Sequence, residues 1–232
     1  ELIISDDGST DTSKKIIDKL SKKAAIKQEV FRVSKAAFNS LKEGAQELSN
    51  DLEGQITPID KNVEVKYTDK GEFEIEIKFS GDTLIFHMHT NTFSFDKTHQ
   101  IWNSKYVKED KYRAYCGVIN VYNFLSDSFK YHRENDLGFL LGRIFINKDQ
   151  HFFTDGTNKM GFLYNDFEHS VLNKDILKSI IEELMLNAMD FELIPPPFKD
   201  VQVVSVHQVM EMSKKMKLKT SKKLGYRFNS EK

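Results

Sequence analysis

The chain has 232 residues, 39% of them hydrophobic and 12% aromatic, which is enough for one sizeable domain, alone or with an appended helix. Thirty-four Lys and Arg against 35 Asp and Glu leave a net charge of −1, so the molecule as a whole is no electrostatic ligand for nucleic acid or membrane. A single cysteine, Cys116, excludes a disulfide framework and points to a reducing, cytoplasmic setting. No apolar run reaches the ~18–20 residues of a bilayer span, so no membrane partner is expected.

Residues 1–12 read as a flexible acidic leader whose Asp11 can cap the helix that follows. The motif ELIISDDGSTDTSKKIID within and beyond it resembles the first nucleotide-binding turn of family 2 glycosyltransferases. That resemblance implies a nucleotide-sugar site, which in the family also uses a preceding strand and a downstream Asp-x-Asp; this sequence contains no such triplet.

Residues 13–52 hold no proline and one glycine, and Ile17, Ala24, Phe31, Phe38, Ala45 and Leu52 recur seven apart. Leu20, Leu41 and Leu48 fill the intermediate positions, while Lys27 and Ser34 are defects in the stripe. The spacing predicts one long amphipathic helix or a broken pair, with an apolar seam that either packs across its own domain or meets a partner. Ile17, Leu20, Phe31, Phe38, Leu41 and Leu48 are accordingly the candidate partner-binding residues, the partner being a second copy or another protein.

Residues 60–212 read as a single core domain. Val63, Val65 and Tyr67 alternate with charged residues, and EFEIEIKF alternates strictly, placing Phe73, Ile75, Ile77 and Phe79 on one face. A two-residue turn at Ser80-Gly81 then sets Phe79 against Asp82, Ile77 against Leu84, Ile75 against Phe86 and Phe73 against Met88. The same register brings Glu74 opposite His87 and Glu72 opposite His89 on the outer face. Imidazole and carboxylate are both competent metal ligands, so this is the weak metal candidate, although such cross-strand pairs are also ordinary neighbours on a solvated sheet. No cofactor is expected.

Tyr115, Val118, Ile119, Tyr122 and Phe129 mark a helical face that Cys116, Val121, Phe124 and Leu125 widen, which predicts an enclosed helix. LGFLLG reads as a second helical piece ending near Gly142, and RIFIN, HFFT and KMGFLY read as three short strands of a meander. A pocket is expected where Tyr122, Arg143 and His151 border that core. Asn173 caps a helix carrying Ile176, Leu177, Ile180, Ile181 and Leu184. Pro195, Pro196 and Pro197 form a stiff connector, Val201 to Val204 reads as a strand, and Ser205 with Gln208 signs a capping box.

Residues 213–232 form a basic tail. Lys214, Lys215, Lys217, Lys219, Lys222, Lys223 and Arg227 carry +7, leaving −8 on the rest of the chain, and make nucleic acid or the ribosome an alternative partner. No Walker loop, dinucleotide glycine spacing or nucleophile elbow is present. The fold class expected is α+β: a long N-terminal helix, then an antiparallel sheet of five to six strands with helices on one face, in the order α-βββ-α-ββ(β)-α-β-α. That order is similar to the bacterial type III secretion chaperones and implies a dimeric, non-catalytic protein binder. A metal-dependent enzyme at His87 and His89 is the remaining alternative.

Overall fold

A computed structural model of the chain describes residues 11–191 and 193–215. Helix α1 (Asp11–Lys19) runs through a single π turn (Leu20–Ala24) into α2 (Ala25–Ile56). Six strands follow, β1 (Val65–Asp69), β2 (Glu74–Phe79), β3 (Asp82–Met88), β4 (Cys116–Leu125), β5 (Phe139–Asn147) and β6 (Phe152–Gly156). They form one antiparallel sheet in chain order, so the α+β class with a long N-terminal helix is what the sequence predicts. Short helices α3 (Lys105–Glu109) and α4 (Ser126–Lys130) lie in the connections. Helix α5 (Lys174–Met189) returns to the sheet, and α6 (Phe198–Val201) and α7 (Val206–Lys215) end the described chain.

The β2–β3 hairpin has the predicted register: Phe79 faces Asp82, Ile77 faces Leu84, Ile75 faces Phe86 and Glu74 faces His87. Ser80, at φ 51°, takes the left-handed conformation that so tight a turn requires. Four element assignments are revised. Residues 116–125 are a strand and not an enclosed helix. Buried on both faces over its first half, β4 is apolar on every side, and that pattern imitates a helix hidden all round. LGFLLG likewise belongs to β5, where Leu141 is the extra residue of a bulge and points into the core. KMGFLY forms a 3₁₀ turn (Asn158–Gly161) and a loop, and Val201 is the last residue of α6 while residues 202–204 form a loop and no strand. The element order is therefore one long helix, six consecutive strands and C-terminal helices.

Helices α2 and α5 cover one face of the sheet. Phe38, Leu41, Ala45 and Leu48 of α2 and Leu177, Ile180, Ile181 and Leu184 of α5 pack on Ile75, Ile77, Leu84, Phe86, Ile119, Ile144 and Phe152. The two helices are also clamped at their surface, where the Glu47 carboxylate accepts from Lys174 and Lys178, each at 2.6 Å. Those hydrogen bonds hold the Glu47 carboxyl down to about 2 from an ordinary 4.5. Its folded pKa is depressed, so the clamp stabilises the fold fully above pH 4.5 and is lost as pH falls toward 2. Urea titrations across that window are expected to show a slightly shallower acid loss for Glu47→Gln than for the native chain. The effect is small because all three groups are solvent-exposed.

A second, smaller cluster lies on the opposite face of the sheet. The segment after β3 folds back beneath one end of it, so that Ile101, Tyr106, Val107 and Ala114 pack on Cys116, Val118, Phe145, Phe153 and Phe167. Asn147, fully buried, ties this layer together: its amide donates to the Tyr106 hydroxyl at 3.0 Å and its carbonyl accepts from the N–H groups of Asp149 and His151. The rest of that sheet face stays open.

Candidate functional site

The open face carries one polar residue from each of five successive strands in a line. Glu74 pairs with His87, His87 with Asn120, Asn120 with Arg143 and Arg143 with Asp155. Where this row meets the fold-back segment, a cleft of about 670 Å³ opens, lined among others by His89, Phe95, His99, Asn120, Arg143 and Asn165. Its floor is aromatic. Phe145 and Phe153 stack at 4.9 Å and 18°, Phe95 meets Phe145 edge-on at 5.2 Å, and the His99 ring lies 4.6 Å from that of Phe95.

The charged groups in the cleft are already engaged. Arg143 is ion-paired with Asp155, and its guanidinium sits 5.3 Å over the Phe145 ring. Asp96 accepts from the Thr98 N–H at 2.9 Å and hydroxyl at 2.7 Å, and these two bonds hold its carboxyl below the usual carboxylate range. His89 Nδ1 accepts from the Asn91 N–H at 3.0 Å and His99 Nδ1 from the Ile101 N–H at 3.2 Å. A neutral imidazole that accepts at Nδ1 carries its proton on Nε2. Both rings therefore offer an N–H donor at Nε2, where a metal ligand would offer a lone pair. The cleft is thus an aromatic-floored recess edged with amides and N–H donors, suited to recognition by hydrogen bonding and stacking.

The weak metal candidates are placed apart. Glu74 and His87 are cross-strand neighbours as expected, but Glu72 lies in the turn before β2 and pairs with Lys35 of α2. Among the described residues no three His, Cys, Asp or Glu side chains converge on one point. Of the expected pocket, Arg143 lines the cleft and Tyr122 lies one row away. His151 does not line the cleft: it stacks on Tyr106 at 4.5 Å in the fold-back layer, and its Nδ1 meets the Phe167 carbonyl. Cys116 is wholly buried, and that burial pushes its thiol pKa far up, so it is no nucleophile.

The helical seam divides in two. Phe38 and Leu41 are fully buried and Leu48 nearly so, all in the core against the sheet, while Phe31 is half-buried against Phe73 at 6.2 Å between rings. Ile17 and Leu20 are 65% and 61% exposed, with Ile16 beside them at 53%. Residues 14–23 are exposed on every face of the helix, because this end runs past the sheet and has no core to pack on. Sequence spacing cannot show where a helix outruns its sheet, so the heptads look continuous. Lys217, Lys219, Lys222, Lys223 and Arg227, like most of the leader, fall outside the described residues, and Lys214 and Lys215 close α7.

Asn120, Asp155, Phe95 and Asn165 were not legible as site residues. Asn120 sat in a stretch with helical spacing and Asp155 in a turn-forming run, so neither had an assignable face. No helix among the described residues is long and apolar enough to cross a membrane. No protein-family model, curated protein or solved structure matches the chain.

Proposed function

We propose that this is a non-catalytic, cytoplasmic protein-interaction protein that self-associates through the start of its long helix and receives a protein partner on the open sheet face. The observation that carries the reading is the exposed triplet Ile16, Ile17 and Leu20. Three large aliphatic side chains on one face of a helix end are a surface that gains free energy by being covered, about 25 cal/mol for each Å² of apolar area removed from water. The open cleft supports the second half of the reading: its ionised groups are engaged with one another or with backbone, leaving amide, N–H and aromatic surface for a partner.

Light scattering on the full chain tests the first half. The native chain is expected to run at least as a dimer, and Ile17→Asp with Leu20→Asp is expected to run at a lower mass than the native chain with an unchanged melting temperature, because neither side chain touches the core. A native monomer, or a double variant that associates as the native chain does, would refute it. Nucleic-acid binding by the basic tail, whose seven cations lie between Lys214 and Arg227, is the second reading; salt-dependent RNA binding lost on removing residues 213–232 would put it first.

A further inference from the structure

The two edges of the sheet differ. The outer side of β6 is covered, since the Phe152 and Thr154 N–H groups donate to the Ser170 and Tyr164 carbonyls and His151 bridges Val171. No described segment pairs with the outer side of β1. Ser80 N–H bonds the Glu64 carbonyl and Lys70 N–H bonds the Glu74 carbonyl, so the alternation of an antiparallel ladder assigns Lys66 and Thr68 to β2. The N–H and C=O groups of Val65, Tyr67 and Asp69 therefore point outward, as three donors and three acceptors in a row.

From this edge we propose a second self-interface, in which β1 pairs antiparallel with β1 of a second copy in a register centred on Tyr67, continuing the sheet across a two-fold axis. The proposal goes beyond the helix-mediated association above and concerns a different surface. The register is selected by charge. Centred on Tyr67, Glu64 of each copy stands opposite Lys70 of the other, Lys66 opposite Thr68, and Val65 opposite Asp69. Shifting the centre one residue back sets Lys66 against Lys66, and shifting it one forward sets Lys66 against Lys70, both like-charge pairs that oppose association. Only the central register puts the three outward residues in hydrogen-bonding positions and avoids every lysine pair.

The intrachain ion pairs extend the same pattern. Glu64 is bonded to Lys78 at 2.5 Å and Lys70 to Glu76 at 2.8 Å, all on the open sheet face. Across the axis they join as Lys78, Glu64, then Lys70 and Glu76 of the second copy, a chain of four charges alternating in sign, made twice. An unrelated extended peptide would use the same backbone groups but has no reason to match this sequence of charges, so a second copy is the occupant that the edge favours.

Sedimentation of full-length variants tests the idea. Glu64→Lys alone and Lys70→Glu alone each create two like-charge pairs and are expected to weaken edge association about tenfold, and mixing the two chains restores it, because the mixed dimer again opposes unlike charges at both ends. Tyr67→Pro removes one outward N–H without taking a hydrogen bond from the β1–β2 ladder and is expected to abolish the edge contact, with some loss of melting temperature because Tyr67 also packs on the core. All three are made in the Ile17→Asp, Leu20→Asp background, so that the helix surface is silent and only edge pairing is read. A background chain that is monomeric overturns the edge proposal and leaves the helix reading standing. Single charge variants that associate as the background does, or a mixture that regains nothing, overturn it too. If Tyr67→Pro fails to fold, the charge exchange still decides.

Discussion

Phe38→Asp is expected to leave no folded protein, whereas Ile17→Asp, three heptads earlier in the same stripe, leaves the fold intact. Phe38 is fully buried in the cluster between α2, α5 and the sheet. Truncation to alanine alone costs ~3–5 kcal/mol for a buried phenylalanine. Aspartate adds a carboxylate that must either be buried charged or take up a proton, at a further cost of several kcal/mol. Domains of this size are stable by only ~5–15 kcal/mol, so the sum removes most or all of the margin. Lys42, whose Nζ lies 5.6 Å from the Phe38 ring, does not rescue the charge, because it already bonds the Asp69 carboxylate and the Gly71 carbonyl. Near-ultraviolet circular dichroism separates the outcomes: a lost aromatic signal for Phe38→Asp and a native one for Ile17→Asp. A native signal from Phe38→Asp would mean that the α2 seam is not core.

Gly117→Ala is expected to destabilise the protein by about 2–3 kcal/mol, through one contact where α2 crosses β4. A Cβ on Gly117 would stand 2.1 Å from Ser34 Oγ and 2.8 Å from Ser34 Cβ. Ser34 is the defect in the heptad stripe, and its position explains why: a larger residue there would collide with the β4 backbone, so small residues face each other on both elements. The pair is reciprocal, and Ser34→Gly should recover much of the loss in the Gly117→Ala background, although alone it costs ~1 kcal/mol of helix propensity. Denaturant melts of the two single variants and the double close the cycle. Additive losses would mean that the close approach is relieved by backbone movement and not by the serine. The Ser34 hydroxyl is buried with no hydrogen-bond partner, so Ser34→Ala is expected to be neutral or mildly stabilising in the same melts.

Local chemistry was legible wherever one face of an element meets water. The EFEIEIKF alternation and the Ser80-Gly81 turn fixed a hairpin to the residue, and Asn173 does cap α5, its side chain accepting from the Ile176 N–H at 2.9 Å. The reading failed where both faces are covered. In CGVINVYNFL the β-branched Val118, Ile119 and Val121 were the strand signal, but with α2 on one side and the fold-back layer on the other there was no polar face to set a period of two. The cleft was invisible for a related reason. Its residues come from the fold-back segment after β3, β4, β5, β6 and the loop after it, and only the strand register brings them into one row. The split of the helical seam rests on where the sheet ends beneath the helix, which leaves the sevenfold spacing unchanged.

The strand order has a consequence for synthesis. Each strand of this meander pairs with the strand made just before it, so every ladder closes over a short loop except β3–β4 and β4–β5, and such local pairings form quickly. The layer above the sheet is assembled differently. Helix α2 emerges first, with Phe38, Leu41 and Ala45 facing outward, and its seat is complete only when β5 and β6 have been added and α5 has closed beside it. A nascent chain of this protein therefore presents the apolar face of α2 to solvent for the whole time its sheet is being translated, and the burden of keeping it from aggregating falls on that interval rather than on the finished fold.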